Sequence, residues 1–457
     1  MKNSVISKIV VITAVVLALM LGLYQIQGVV KDRQTFRSAA VASIGSSQTL
    51  AGPFIHSACT EAWDVTVKSE HETKIEEKRR DFMLVALPES LNITSGAGVE
   101  QRARGLHQVN TFNLKTQISA KWTNLESLKA VQQVKNSRMN CGAPIVMVSV
   151  ADSNGIRSAT LELNGKVQGL KPGTFHPRYP RGVHAMLPDA LRSQTEPLTV
   201  DIQLELQGTE KLSIVPLGGT TQVRMQSNWP HPSFGGAFLP AERTVGKDGF
   251  DAIWRVSSLA TTVGDSLLQG LGWCSGDTGG SEKAHGCVET LKVSFIDPIN
   301  AYSLSDRATK YGLLFVVLTF VAVGLFELMQ RLRVHPVQYF LVGSAICSFF
   351  LLLVSLSEHV GFNNAYIAAA SACVLLLMHY ASYMLGSLWR GLPFGAGIGL
   401  LYGLLFMLLQ QEQTALAMGA VALFIVLACV MALTRKVNWY GLTATPSGPE
   451  EANAHKV

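Results

Sequence analysis

Charge is what this 457-residue chain has least of: only 15% of its residues are Asp, Glu, Lys or Arg, where soluble domains carry about 25%. Hydrophobic residues reach 48% and the mean hydropathy is +0.25. That balance excludes an intrinsically disordered chain, which combines low hydrophobicity with high net charge. A surplus of one sign is nearly missing as well. Residues 31–310 hold 30 basic and 27 acidic side chains, and the rest of the chain holds 8 and 5. The small basic excess flanks apolar segments, a membrane pattern, and leaves no basic face for nucleic acid. Compact catalytic and phosphate-binding motifs are absent: there is no HExxH, GxSxG, GxxxxGK[ST] or strand-to-helix GxGxxG. No cofactor or metal is therefore expected. No internal repeat argues for a solenoid.

What the chain does have is apolar runs. A membrane-spanning helix needs roughly 20 mostly apolar residues, and six segments qualify: 9–26, 311–329, 337–357, 365–385, 393–409 and 415–433. Lys2 and Lys8 precede the first run, but its core is long and no small-x-small cleavage site follows closely. It reads as an uncleaved anchor. The expected organisation is a short N-terminus (1–8), an anchor helix (9–26), a strand-rich domain (27–310), a five-helix bundle (311–434) and a tail (435–457). With six spans, all 8 basic residues outside 31–310 fall on one side. By the positive-inside rule both termini are cytoplasmic and the large domain is exported.

Between the first two runs the period changes from helical to alternating. Leu198, Val200, Ile202, Leu204 and Leu206 alternate with polar residues, which places them on one face of a strand. Asn164-Gly165, Pro172-Gly173 and Gly218-Gly219 punctuate similar runs. Many short strands with such turns predict an antiparallel β-sandwich-like domain. One helix is expected over 125–135, because Thr123-x-x-Glu126 has the form of a capping box. The dense charge run 68–81 predicts an exposed hairpin.

Seven cysteines are present. Cys347, Cys373 and Cys429 lie in apolar runs, while Cys59, Cys141, Cys274 and Cys287 lie in the exported block, where three pairings are open. Cys274 and Cys287 enclose a glycine-rich stretch, which favours a bridge between them. A metal at Asp277 and His285 is the weaker alternative, since the spacing matches no standard zinc pattern.

The most unusual segment holds Asn228, Trp229, His231 and Phe234. Two prolines around His231 fix an extended backbone, and Gly235-Gly236 permits a change of direction. A binding edge and a rigid crossover with buried aromatics both fit it, the crossover better. His176, His184 and His231 carry metal-ligating chemistry, but nothing in their spacing joins them. Gly395, Gly399 and Gly403 form a small-residue stripe for helix packing. Glu327 and His379 both fall on the cytoplasmic side of the bundle, within reach of a mutual hydrogen bond.

Six blocks carry a resemblance: Leu50-Ala-Gly-Pro-Phe54, Leu87-Pro-Glu-Ser-Leu91, Ser227-Asn-Trp-Pro-His-Pro-Ser-Phe234, Leu304-Ser-Asp-Arg-Ala-Thr-Lys-Tyr311, His335-Pro-Val-Gln-Tyr339 and Leu356-Ser-Glu-His359. In this order and over nearly the whole chain, the sequence resembles the CreD family of inner membrane proteins. The resemblance implies a Gram-negative envelope-integrity protein tied to a two-component stress response and β-lactam tolerance. It implies no reaction, and the Cys274/Cys287 pair is not part of the family pattern. The expected role is non-enzymatic: the bilayer holds the bundle while the periplasmic domain binds an envelope protein or cell-wall component. The alternative is movement of a lipid or amphiphile by the C-terminal bundle. An enzyme using scattered carboxylates ranks third.

Overall fold

The computed structural model describes residues 2–68, 73–105, 107–193, 196–273, 286–296, 301–329, 334–384, 388–411 and 415–435. They fall into two units, 38–298 and a second that joins 1–37 to 299–457.

The strand-rich unit contains two large sheets. Across the first, the order is Ser233–Gly236, Leu291–Ser294, Lys211–Val215, Gln48–Lys68, Ile145–Val150, Gly182–Met186 and Lys171–Pro172. Thr73–Ala86 and Arg138–Cys141 pair with the outer part of the long Gln48–Lys68 strand. The second sheet runs Glu242–Gly246, Gly249–Ser257, Thr220–Ser227, Ser90–Arg104, His107–Trp122, Leu198–Thr209, Ile156–Leu163 and Lys166–Gln168. Inward residues of both sheets make one core, with Leu50, Ile214 and Val293 from the first and Ile93, Phe112, Ile202 and Trp254 from the second.

The expected antiparallel arrangement is broken once in each sheet. Gln48–Ala51 runs parallel to Leu212–Val215, and Ser90–Ala97 parallel to Thr220–Ser227. These pairs join strands more than 100 residues apart, so no hairpin dictates their direction. The charge run does form a hairpin, Val67 pairing with Lys74 and Glu61 with Arg80. The helix expected over 125–135 is reduced to a single 3₁₀ turn, Glu126–Leu128. The Thr123 hydroxyl donates to the Glu89 carboxylate instead of capping. Further on, the backbone N–H groups of Gln133 and Val134 both donate to Glu61 Oε1 at 2.9 Å, where a helix would need main-chain carbonyls.

Cysteine pairing also needs the structure. Cys59 and Cys141 face each other across adjacent strands and form a disulfide. Cys287 is disulfide-bonded too; Cys274 lies outside the described residues.

In the helical unit the first helix is Lys2–Ile44. Its 43 residues span about 65 Å, twice the hydrocarbon thickness. The expected six spans reduce to four helices of sufficient length and apolarity among the described residues: Val10–Ile44, Pro336–Val360, Phe362–Met384 and Gly391–Gln410. The second expected span, 311–329, is the helix Gly312–Met329, and the short helix before it meets it at a bend of 43° between Ser303–Lys310 and Gly312–Gly324, so that the pair is one broken span or a re-entrant turn. The sixth expected span, 415–433, is the helix Ala415–Thr434, and its described apolar stretch is Ala417–Ala432.

Polar contacts gather at the two ends of the Pro336–Val360 helix. Near its end, Glu358 Oε1 lies 3.4 Å from Arg33 Nε. Near its start, the Tyr339 hydroxyl donates to Glu327 Oε2 at 2.9 Å. Glu327 also accepts from Val334 N at 3.4 Å. The expected Glu327–His379 bond is not the arrangement seen: His379 packs edge-on against Tyr383, with ring centroids 5.1 Å apart.

The glycine stripe is used unevenly. A Cβ at Gly395 would sit 2.8 Å from Met378 of the neighbouring helix, one at Gly399 4.0 Å from Val374, and one at Gly403 would meet nothing within 4 Å. Gly395→Leu is therefore expected to overpack the bundle by about 1–3 kcal/mol, while Gly403→Leu leaves it unchanged. Thermal midpoints of the two detergent-solubilised variants check this, and equal values would refute the packing role of Gly395.

Candidate functional site

Asn228, Trp229, His231 and Phe234 lie where the chain leaves one sheet for the other. Thr220–Ser227 belongs to the second sheet and Ser233–Gly236 is the edge strand of the first. Asn228 Oδ1 accepts from Val99 N at 2.8 Å and its Nδ2 donates to Val99 O at 3.2 Å, so this side chain stands in for a strand partner. Trp229 Nε1 donates to the His231 carbonyl at 2.9 Å, which closes the proline-flanked turn. The Phe234 ring packs edge-on against Phe250 and Trp254, with centroids 5.4 and 5.6 Å away. His231 is exposed.

Beside Asn228 a shallow, open cleft of about 620 Å³ lies on the outer face of the second sheet. Burial alternates along Ser90–Arg104, with Ser95, Ala97 and Val99 inward and Gly96 and Gly98 outward. A Cβ at Gly96 would touch nothing within 4 Å, and at Gly98 only Asn113 O at 3.9 Å. Packing does not require glycine at either position. Across the register Gly96 lies between Gln226 and Lys115, and Gly98 opposite Asn113. Asp251 borders the cleft and accepts from Arg224 Nη2 at 2.7 Å and from Gln226 Nε2 at 2.8 Å. Those two hydrogen bonds, Arg224 foremost, hold its carboxyl below the usual range. Past Gly98 a second hollow of about 290 Å³ is lined by Glu100, Arg102, Asn113, Arg157 and Gln207. Together they line a glycine-floored strip whose rim carries carboxylate, amide and guanidinium groups, the part past Gly98 being the more polar. The Gly96-Ala97-Gly98 run was passed over in the sequence, although glycine inside a strand often marks a bulge, a bend or a place where a ligand or another backbone comes close.

A second cluster gathers histidines. His56, His176 and His184 are 1%, 6% and 2% exposed. His176 and His184 do come into one neighbourhood, but with His56 and without His231. His56 was concealed because a bulge between Ala51 and Phe54, containing the cis Gly52–Pro53 bond, shifts its register. Past the bulge Phe54 and His56 share a face with Met147 and His184. The loop 173–179 covers that face. His56 Nε2 donates to Thr174 O at 2.9 Å and His184 Nδ1 to Gly173 O at 2.8 Å. His176 Nδ1 accepts from the backbone N–H groups of Arg178 and Tyr179 at 3.2 and 3.3 Å. The His176 ring stands edge-on to His56, centroids 5.5 Å apart, and stacks on Tyr179, which stacks on Trp273. Burial, aided by His56, pushes His176 down to about 4. Burial also lowers His56, against the Thr174 hydrogen bond and with a contribution from His184. Among the described residues no group of three or more His, Cys, Asp or Glu is arranged to hold a metal ion.

Comparison with known proteins places the chain. Among solved structures, an M1 zinc metallopeptidase from Deinococcus radiodurans covers 45% of this chain and 42% of its own, at 10% identity and a TM-score of 0.22. A substrate-bound form of that peptidase matches at 11% identity and 0.21, again over 45% and 42%. Likenesses that slight carry no argument about fold or activity. The inner membrane protein CreD of Escherichia coli K12 is 33% identical over 449 residues, 97% of this chain and 95% of the relative. The family model for inner membrane protein CreD matches residues 4–440. With its apolar helices, its large strand-rich unit and a match over nearly its whole length, this chain belongs to the CreD family of inner membrane proteins.

Proposed function

We propose that this protein supports the cell envelope by non-enzymatic binding, with the strand-rich unit in the periplasm and both termini in the cytoplasm. The ligand is an extended polar component of the envelope, a cell-wall polymer or a protein segment, lying along the groove between Thr244 and Arg157. One observation carries this reading. Gly96 and Gly98 keep the floor bare although side chains would fit there without a clash, so the opening has a use outside the fold. The amides of Gln226 and Asn113 and the charges of Asp251, Arg102 and Arg157 supply hydrogen bonds to such a ligand. In the envelope-stress setting of the family, occupancy of the groove would be the signal or the support that the protein provides.

Gly98→Trp fills the groove without disturbing the core. In cells lacking the native copy, it is expected to abolish complementation of envelope integrity or β-lactam tolerance at unchanged protein abundance. Full complementation by the variant would remove the groove from the function. A second reading, movement of a lipid or amphiphile, has the bend between Ser303–Lys310 and Gly312–Gly324 in its favour, because transporter sites use broken helices. Lipid flipping in reconstituted vesicles that the protein does not accelerate would eliminate it.

A further inference from the structure

The histidine cluster contains two buried nitrogens whose chemistry is unspent. His56 Nε2 and His184 Nδ1 each donate to a loop carbonyl, so each ring carries its proton on that nitrogen. The opposite nitrogens, His56 Nδ1 and His184 Nε2, are then bare lone pairs, and both are buried with no hydrogen-bond partner. Metal-ligating imidazoles are held this way: one nitrogen donates to a backbone carbonyl, which fixes the tautomer and raises the basicity of the other. His176 is held the opposite way, its Nδ1 accepting two backbone N–H bonds, and does not offer an equivalent lone pair there.

The strand register supplies a third donor. Met147 pairs directly with His184 on one side and with Phe54 on the other, and His56 follows Phe54 by two residues on the same face. The thioether of Met147, 1% exposed, therefore belongs to the same face of three adjacent strands as both imidazoles. The bulge between Ala51 and Phe54 is what brings His56 to that face, and bulges that re-aim a side chain are common beside functional sites.

We propose that His56 Nδ1, His184 Nε2 and Met147 Sδ form a buried site for a soft monovalent transition-metal ion of the copper(I) type. Both donor types suit copper, and thioether selects its monovalent state. Net charge selects in the same direction. The three donors are neutral, and a divalent ion would leave two uncompensated charges in a buried place. Zinc would in addition want a fourth ligand. The loop 173–179 is the cover, since its Gly173 and Thr174 carbonyls orient the two rings.

The test uses the full-length protein in detergent with copper(I) supplied as its bicinchoninate complex, whose colour reports removal of the ion. The wild type is expected to withdraw one equivalent that His184→Gln and His56→Gln do not. Met147→Leu, which conserves volume, is expected to weaken binding at least 10-fold, the lower range found for disturbed metal sites. Near-ultraviolet circular dichroism without metal verifies that each variant is folded, and Met147→Leu keeps the test valid if a histidine variant is not. Competition by zinc(II) at equal concentration is expected to fail. Failure of the wild type to withdraw copper(I), or withdrawal unchanged in folded Met147→Leu and His184→Gln, overturns the proposal and leaves the two lone pairs to a buried water.

Discussion

Replacing Cys59 and Cys141 together by alanine is expected to destabilise the strand-rich unit by about 4–5 kcal/mol. The bridge closes a loop of 82 residues, and the chain-entropy model assigns a crosslink of that length roughly 4.5 kcal/mol, at the upper end of the usual range. The long loop contains the Thr73–Ala86 hairpin arm and the two long strands Ser90–Arg104 and His107–Trp122. Without the bond, the unfolded chain regains the freedom to separate these elements from Arg138–Cys141. Denaturant titration of the detergent-solubilised protein, read by tryptophan fluorescence, gives the value. A loss below about 1 kcal/mol would show that other contacts already hold the Arg138–Cys141 strand in the unfolded ensemble's place of the crosslink.

Glu61 is the strongest candidate for such a contact, and Glu61→Ala is expected to release residues 129–137. The Glu61 side chain is fully buried against Arg80. Oε1 accepts from Gln133 N, Val134 N and the Ser137 hydroxyl at 2.9, 2.9 and 2.7 Å, and Oε2 accepts from Arg80 Nη2 at 2.8 Å. One carboxylate thus replaces the carbonyls that a helix would have provided to this segment. Removing it leaves the buried Ser137 hydroxyl and two part-buried backbone donors without this acceptor. The thermal midpoint is expected to fall by about 5 °C or more, and the amides of Gln133 and Val134 to lose their hydrogen-exchange protection. Retained protection at those two amides would refute the role. Because Glu61 and Cys59 lie two residues apart on one strand and grip the same segment, the two losses should not add.

The same carboxylate gives a pH signature. Its backbone hydrogen bond from Val134, then the Ser137 hydroxyl, lower its pKa below the ordinary 4.5. The folded state therefore holds the proton less tightly than the unfolded state. The stabilisation is complete above about pH 4.5 and is lost as pH falls through the lowered folded value. The buried histidines act in the same direction at higher pH, since His176 falls from 6.5 to about 4, and their contribution declines across that interval. In Glu61→Gln only the component below about pH 4.5 should vanish.

The segments that the sequence specifies best are those governed by local patterns. Runs of apolar residues mark membrane helices because desolvating a backbone in lipid demands internal hydrogen bonds over a fixed length. Alternation along Leu198–Thr209 and the turn glycines mark strands because side-chain period and backbone dihedrals depend on near neighbours. The hairpin at Glu61–Arg80 follows from the same rules. Asn228, Trp229 and Phe234 stood out through their composition, and the structure places them at a crossover between sheets.

What the sequence could not decide are meetings between distant residues. Thr123-x-x-Glu126 reads locally as a helix start, yet Glu89 and Glu61 redirect that segment from 34 and more than 60 residues away. Cys59 chooses Cys141 because two strands align them, and no spacing rule contains that alignment. His56 joins His184 because a bulge changes which face the strand presents. Local chemistry determined a membrane protein with a strand-rich unit; strand register, set by the burial of the whole core, decided which side chains share a site.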